Sequence, residues 1–174
     1  MPKLTSATAA KRRAAILDAA RRCFARKGFS ATTIADLRAE SDLSTGGIYT
    51  HFPNKHAIVS ALGSQLTEGR AESQVDLLSA FDHLQSDAGE TDARVDLHMW
   101  AEASADPMLH RLVFEGFDRM ATQFAALESY AGDPAGQQLL EALIIGLEVQ
   151  RALGRPPRPE LRSRLAALVL RGLP

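Results

Sequence analysis

Residues 33–55 read TIADLRAESDLSTGGIYTHFPNK, and two short helices can be recognised in this part of the sequence. It predicts a helix over 33–41, a three-residue turn, and a second short helix over 45–52. Pro53 then ends the second helix, because proline has no amide hydrogen to continue it. Two short helices joined by so tight a turn form a helix-turn-helix, whose second helix can lie in the major groove of DNA.

Polar residues stand where each of these helices would begin. Thr33, with Asp36 three residues later, is a variant of the capping box. Ser44 and Asn54 can cap the next two helices. Asp42 lies in the turn, where it tolerates the left-handed backbone conformation better than most residues do.

The composition favours an all-helical protein with a substantial core. Of the 174 residues, 45% are hydrophobic, and no stretch alternates with period two for long. No apolar run approaches the roughly 20 residues that a membrane helix needs. The basic amino terminus is not followed by a signal-type apolar segment. We therefore expect a soluble, cytoplasmic protein with no membrane partner.

Charge is distributed unevenly along the chain. Residues 1–56 carry ten Lys/Arg and four Asp/Glu, a net charge of +6, whereas the remainder has a net charge of −7. A basic first third on an acidic body is the pattern expected when one end of a protein meets a polyanion. The alternative is that Arg-rich helices are simply solvated.

The rest of the chain reads as further helices. An amphipathic helix over 11–27 precedes Gly28, and a helix weakened at Gly63 and Gly69 runs from 55 to about 85. A loop over 86–91 is followed by predicted helices over 92–105, 108–130, 134–153 and 160–171, which makes eight or nine helices in all. We expect a domain of residues 1–56 and a second one of residues 57–174.

Residues 12–62 resemble the DNA-binding domain of the TetR (tetracycline-repressor) family of bacterial transcriptional regulators. The run STGGIYTHFPNK is highly specific for that family. Arg38, Ser41 and Asp42 depart from its usual Ala, Ala and Gly. The matching residues are Ile16, Leu17, Ala19, Ala20, Phe24, Gly28, Phe29, Thr32, Thr33, Leu37, Leu43, Ser44, Gly46, Ile48, Tyr49, His51, Phe52, Lys55 and Ile58.

The resemblance implies an amino-terminal three-helix DNA-binding domain followed by an all-helical domain that binds a ligand and dimerises. It implies phosphate contacts by Thr33, Thr45, Tyr49, His51 and Lys55, although Tyr49 could also be a half-buried core residue and His51 a plain surface residue. The full set of expected DNA-binding residues is Lys11, Thr33, Arg38, Ser44, Thr45, Gly46, Gly47, Tyr49, Thr50, His51 and Lys55.

Base readout by the second helix is expected to be modest. The helix contains no Arg, Lys, Asn or Gln, so the bidentate contacts to guanine and adenine are not available from it. Thr45, Thr50 and the backbone at Gly46 and Gly47 remain. We expect further selectivity from DNA shape and from a basic arm at Lys3 and residues 11–13.

The last two helices are expected to form a homodimer interface. Their apolar stripes can face either a partner chain or the core of the monomer, and the resemblance favours the partner. A two-fold dimer implies a near-palindromic operator. The expected interface residues are Leu139, Leu143, Gly146, Leu147, Leu161, Leu165 and Leu168.

A mainly apolar pocket for an unidentified small-molecule effector is expected between the central helices. His98, Glu102 and His110 could reach into it, and a metal site formed by these residues is a weaker alternative. Aromatic and Met residues at helical spacing can equally be core. The candidate ligand-binding residues are Leu62, Leu66, Met99, Trp100, Ala103, Phe114, Phe117, Met120 and Phe124.

The function that these patterns predict is a ligand-responsive regulator, most simply a repressor released by its ligand. An activator, or a helical ligand-binding protein with weakened DNA recognition, is the alternative. We expect no enzyme, because no phosphate-binding loop, nucleophile elbow or metal cluster is present. We therefore expect no catalytic residue, cofactor or metal, and a buried thiol rather than a redox sensor at Cys23.

Overall fold

The computed structural model describes residues 6–71 and 77–171, and every regular element in these two ranges is helical. The described helices are α1 (Ser6–Ala31), α2 (Ile34–Ser41), α3 (Thr45–His51), α4 (Lys55–Ala71), α5 (Leu77–Leu84), α6 (Asp87–Ala103), α7 (Pro107–Ala125), α8 (Pro134–Ala152) and α9 (Leu161–Arg171), with a 3-10 helix at Glu128–Tyr130. The all-helical expectation is confirmed.

Helix starts follow the capping signals of the sequence. Asp106 accepts hydrogen bonds from two backbone N–H groups at the start of α7, and Pro107 occupies the first turn. At the start of α8, Asp133 accepts a hydrogen bond from the N–H of Gly136, and Pro134 occupies the first turn. Each start falls where the sequence predicts it because the cap supplies acceptors for N–H groups that have no partner within the helix.

The predicted loop over 86–91 is wrong, because α6 already begins at Asp87. Ser86 caps α6, its hydroxyl accepting a hydrogen bond from the N–H of Gly89 at 3.0 Å. Gly89 permits the tight connection from α5, since a Cβ at this position would overlap the backbone carbonyl of His83. The predicted continuous helix from 55 to 85 crosses residues 72–76, which lie outside the described residues.

The largest core cluster crosses the expected domain boundary at residue 56. It joins α1–α4 to α6 and α7, so that apolar side chains on both sides of the boundary pack together. An ion pair between Arg21 of α1 and buried Asp92 of α6 lies beside it. The buried members of this cluster are Ile16, Leu17, Ala20, Cys23, Phe24, Phe29, Leu37, Ile48, Phe52, Ile58, Val59, Leu62, Val95, Met99, Ala103, Leu109 and Val113.

Two smaller clusters fill the carboxy-terminal half. One contains Phe81, Leu84, Leu147 and Leu165, and the other is built around Phe124, Tyr130 and Leu140. No helix within residues 6–71 and 77–171 is long and apolar enough to cross a membrane. The same residues contain no group of three His, Cys, Asp or Glu side chains that could hold a metal ion.

Candidate nucleic-acid interface

Side chains fix both helices of the helix-turn-helix at their first turns. The hydroxyl of Thr33 accepts a hydrogen bond from the N–H of Asp36 at 3.2 Å, and the Asp36 carboxylate accepts one from the N–H of Thr33 at 2.8 Å. The hydroxyl of Ser44 accepts a hydrogen bond from the N–H of Gly47 at 3.0 Å. These contacts confirm the predicted capping box and the predicted cap of α3.

The turn itself needs a left-handed residue, and Asp42 supplies it with φ = 55°. This conformation costs a residue with a Cβ more than it costs glycine, although Asp is among the residues that adopt it most readily. The departure from the family's glycine therefore leaves the turn intact. Leu43 and Ser44 complete the connection to α3.

α3 buries one face and exposes the other. Ile48 is fully buried against the core, whereas Thr45, Gly46 and Thr50 are exposed. Tyr49 is 49% exposed, so its ring is not a core residue. The helix therefore presents a continuous outer surface of small residues with one aromatic side chain that carries a hydroxyl.

The contacts of Thr50 limit what it can offer to a base. Its hydroxyl donates to the backbone carbonyl of Gly46 at 2.8 Å, which leaves the oxygen as an acceptor. His51 is half-buried at the end of the helix, and Arg38 of α2 is exposed. The outward direction of Arg38 agrees with the expectation that a long cation at this small-residue position must extend into solvent.

Several cations of the basic first third are paired with carboxylates of α2. Glu40 accepts hydrogen bonds from Arg22 and Arg26, and Asp36 pairs with Lys27 at 2.7 Å. The hydrogen bonds from Arg22 and Arg26 lower the pKa of Glu40, which favours its charged form. The positive charge of α1 therefore serves partly to hold α2 in place.

Besides Arg38, a group of exposed cations lies near the amino terminus of α1. Lys11, Arg12 and Arg13 are exposed, and the Arg13 guanidinium lies 5.1 Å from the centre of the Phe52 ring. This contact places residue 13 beside the end of α3. Lys3, also assigned to the expected basic arm, lies outside the described residues.

The side chain of Lys55 points towards the backbone of residues 29–32, which the sequence did not indicate. Its ammonium group donates to the backbone carbonyls of Phe29, Ser30 and Thr32 at 2.6, 3.2 and 2.9 Å. Burial lowers the pKa of Lys55. All three donors of the ammonium group are directed at protein carbonyls, so a phosphate contact by Lys55 would require it to leave them.

The expected ligand-binding residues with described side chains divide mainly between two core clusters. Leu62, Met99 and Ala103 are buried in the largest core cluster, and Phe124 is buried in a separate one. Trp100, Phe117 and Met120 are partly buried, and Phe114 is 50% exposed. The side chain of Leu66 lies outside the described side chains.

Polar residues that were expected near the pocket also take other positions. His98 and Glu102 both border Gly28 of α1, rather than an apolar cavity. The His110 ring packs on the exposed ring of Phe114 with centroids 4.3 Å apart. A cavity of about 220 Å³ opens between α1 and α6, lined by Asp18, Arg21, Arg22, Asp87, Ala88 and Thr91.

The expected dimer residues divide into two groups. Leu139 and Leu143 are exposed on α8, and Gly146 has open space where a Cβ would lie. Leu147 and Leu165 instead lie in the core of the monomer, with Leu161 and Leu168 packed against them. The exposed stripe along α8 is therefore narrower than expected, because the helix also packs against α6 and α7.

The fold and this capped, half-exposed α3 define the class of helix-turn-helix DNA-binding proteins. Residues 16–62 match the model of a family described as bacterial regulatory proteins, tetR family. Residues 16–62 therefore belong to the TetR family, as the amino-terminal sequence indicated.

Proteins named as HTH-type transcriptional regulators are similar to parts of this chain. The HTH-type transcriptional repressor Rv1474c of Mycobacterium tuberculosis is 42% identical over 71 residues, 41% of this chain and 38% of that protein. The HTH-type transcriptional regulator TtgR of Pseudomonas putida is 33% identical over 122 residues, 61% of this chain and 58% of that protein. The chain thus matches less than two thirds of either relative's length.

The fold of the body also has a solved counterpart. The crystal structure of multidrug binding protein EbrR complexed with malachite green is 26% identical, with a TM-score of 0.61. The similarity covers 91% of this chain and 98% of that chain. It therefore extends from the helix-turn-helix through the carboxy-terminal helices.

Proposed function

We propose that this protein regulates transcription by binding double-stranded DNA through α3. The observation that carries the proposal is the division of α3 into a buried face at Ile48 and an exposed, side-chain-capped face at Thr45, Gly46, Tyr49 and Thr50. A short helix fixed in this way can enter the major groove without losing its packing on the core.

Phosphate contacts supply most of the affinity in this proposal. Thr33 and Thr45 stand at helix starts, where free N–H groups and the helix dipole favour an anion. Tyr49 offers a hydroxyl on an exposed ring, and Lys11 and Arg12 add exposed positive charge. Thr45 and Thr50 provide the base contacts, which include the thymine methyl group.

A homodimer follows from the exposed stripe on α8. Leu139, Leu143 and the open backbone at Gly146 form an apolar surface along one helix face. Two copies packed about a two-fold axis would bury it and place two α3 helices in successive major grooves. The operator is then near-palindromic.

Ligand binding would control the spacing of these two helices. A ligand that prefers the conformation in which the α3 helices are wrongly spaced weakens operator binding by its differential affinity. The partly buried residues Trp100, Phe117 and Met120 favour a small, mainly apolar ligand, and the EbrR structure with malachite green supports a ligand with aromatic rings. Release from DNA by the ligand makes the protein a repressor, in line with the name of the mycobacterial relative.

The test measures binding of the protein to labelled DNA from immediately upstream of its own gene. Fluorescence anisotropy gives the affinity at two salt concentrations. We expect the wild-type protein to bind and its affinity to fall as salt rises, because phosphate contacts release counterions. Tyr49→Ala should weaken binding. Phe114→Ala is a matched control, since Phe114 is equally exposed but lies on α7.

Two results would contradict the proposal. One is wild-type protein that binds neither this DNA nor any duplex from a random pool. The other is an equal loss of affinity in Tyr49→Ala and Phe114→Ala, because that would separate DNA binding from α3. Titration of the bound complex with malachite green then tests whether an aromatic ligand releases the DNA.

A further inference from the structure

The connection between α1 and α2 is a single turn that the body of the protein helps to hold. Gly28 interrupts α1 with φ = 78° and ψ = 174°, and residues 29–31 form one more helical turn. The Thr32 hydroxyl donates to the carbonyl of Gly28 at 2.6 Å. We call residues 28–32 the α1–α2 turn.

Glu102 of α6 binds the amino-terminal side of this turn. Its carboxylate accepts hydrogen bonds from the backbone N–H of Phe29 at 2.9 Å and of Ser30 at 2.8 Å, and a third from the Ser30 hydroxyl. The break at Gly28 leaves these N–H groups without partners in α1, so a distant carboxylate takes the place of a local cap. The φ of 78° favours glycine at residue 28, and a Cβ there would also displace the Glu102 carboxylate.

Lys55 of α4 binds the opposite side of the same turn. Its ammonium group donates to the carbonyls of Phe29, Ser30 and Thr32. Lys55 lies four positions after the last residue of α3, and Thr32 precedes the cap of α2. The α1–α2 turn therefore binds Glu102 of α6 through its N–H groups and Lys55 of α4 through its carbonyls, and it leads directly into α2.

We propose that Glu102 is a positioning residue for DNA binding, through which a displacement of α6 reaches α2 and α3 by way of the α1–α2 turn. This inference rests on the proposed function, because it names how the body controls the DNA-binding helices. It adds a second route beside α4, which continues directly from the helix-turn-helix. Met99 and Trp100, two of the candidate ligand-binding residues, precede Glu102 by less than one helical turn.

The chain contains its own reporter for this route. Trp100 is the only tryptophan of the sequence, and its ring lies 6.0 Å from that of Phe117. Coupling between two sites is reciprocal, so DNA bound at α3 must act on α6 if α6 acts on α3. A change in Trp100 fluorescence on adding DNA measures the coupling without any effector.

The experiment uses the full chain and a duplex that the wild-type protein selects from a random pool. We expect the duplex to shift the Trp100 emission of the wild-type protein. Glu102→Ala should still bind the duplex but lose the shift, and Ser30→Ala, which removes one donor and leaves α6 unchanged, should reduce it. Glu115→Ala, an exposed carboxylate of α7, should behave as wild type.

The outcomes test the role of Glu102 separately from the proposed DNA-binding function. A full shift in both Glu102→Ala and Ser30→Ala overturns the inference, as does a wild-type protein that binds the duplex without any shift. If circular dichroism shows that Glu102→Ala does not fold, the fluorescence shift of Ser30→Ala is compared with that of Glu115→Ala instead. Absence of DNA binding by the wild-type protein refutes the proposed function, and the inference falls with it.

Discussion

Two glycines inside helices show how differently the same residue type can be constrained. Gly89 in α6 has the backbone of His83 where its Cβ would lie, whereas Gly116 in α7 has open space there. The sequence does not distinguish them, because the difference depends on which chain segment passes beside each residue. It is therefore a property of packing rather than of helix propensity.

Substitution of these two glycines by alanine should have opposite effects. Gly89→Ala should lower the free energy of unfolding by about 1–3 kcal/mol or more, since the rigid backbone beside it cannot move away cheaply. Gly116→Ala should raise it by up to about 1 kcal/mol, because alanine favours the helix. Urea unfolding followed by circular dichroism measures both, and equal effects would contradict the packing at Gly89.

Acid stability should depend on Asp36. The hydrogen bond from Lys27, followed by those from Thr33, holds the pKa of Asp36 well below its usual range. A carboxylate with a lowered folded pKa contributes stability above its unfolded pKa of about 3.9 and loses it as pH falls towards the folded value. Wild-type protein should therefore lose stability below about pH 4 more steeply than Asp36→Asn does.

The measurement for this pH effect is urea unfolding at a series of pH values between 7 and 3. Lys27→Met removes the largest cause of the shift and should flatten the pH dependence as well. The double variant should add little to either single one, since both remove the same interaction. Parallel curves for wild type and Asp36→Asn would contradict this account.

At the scale of elements, the sequence predicted those helices whose ends carry local caps. Ser44, Asp106 and Asp133 each bind N–H groups within three residues, so the signal and its effect lie in the same short stretch. Residues 86–91 were misread as a loop because the Ser86 cap is followed by Asp-Ala-Gly, which resembles turn composition. The decisive contact, Gly89 against His83, depends on the path of α5.

The candidate site was predictable to a similar extent. The exposed residues of α3 follow from the four-residue spacing of Ile48 and Phe52, which fixes the buried face. The inward direction of Lys55 and the role of Glu102 were not predictable, because each depends on an approach between segments far apart in sequence. Gly28 gave the one available signal, a helix break whose N–H groups need an acceptor.

The sequence preference of the protein should depend on the exposed threonines of α3. Thr45→Ala and Thr50→Ala together should flatten the preferred sequence in a random-pool binding selection, while phosphate contacts keep much of the affinity. Thr122→Ala, which changes an exposed threonine of α7, is the control and should leave the selected sequence unchanged. An unaltered preference in the α3 variant would assign specificity to DNA shape and the basic arm instead.

At the scale of the whole molecule, the expected division at residue 56 does not interrupt the packing. The largest core cluster joins helices from both sides, and the Arg21–Asp92 and Glu102 contacts add polar connections between α1 and α6. The sequence composition showed that the net charge changes sign near residue 56. It did not show that helices on both sides of this residue share one hydrophobic core. A body packed in this way on α1 can influence the DNA-binding helices without a long lever.

Dimerisation is the property of the whole molecule on which operator recognition depends in this account. Leu139 is 60% exposed and Leu143 lies one turn further along α8 on the same face, so a partner's apolar surface should cover both. Leu143→Glu should place a charge in that contact and shift the protein from dimer to monomer in analytical ultracentrifugation. Operator affinity should fall when the dimer dissociates, since each monomer then binds only one half-site. Phe114→Glu makes the same change at an exposed apolar residue of α7 and should leave the dimer intact. A Leu143→Glu dimer of wild-type stability would place the interface elsewhere.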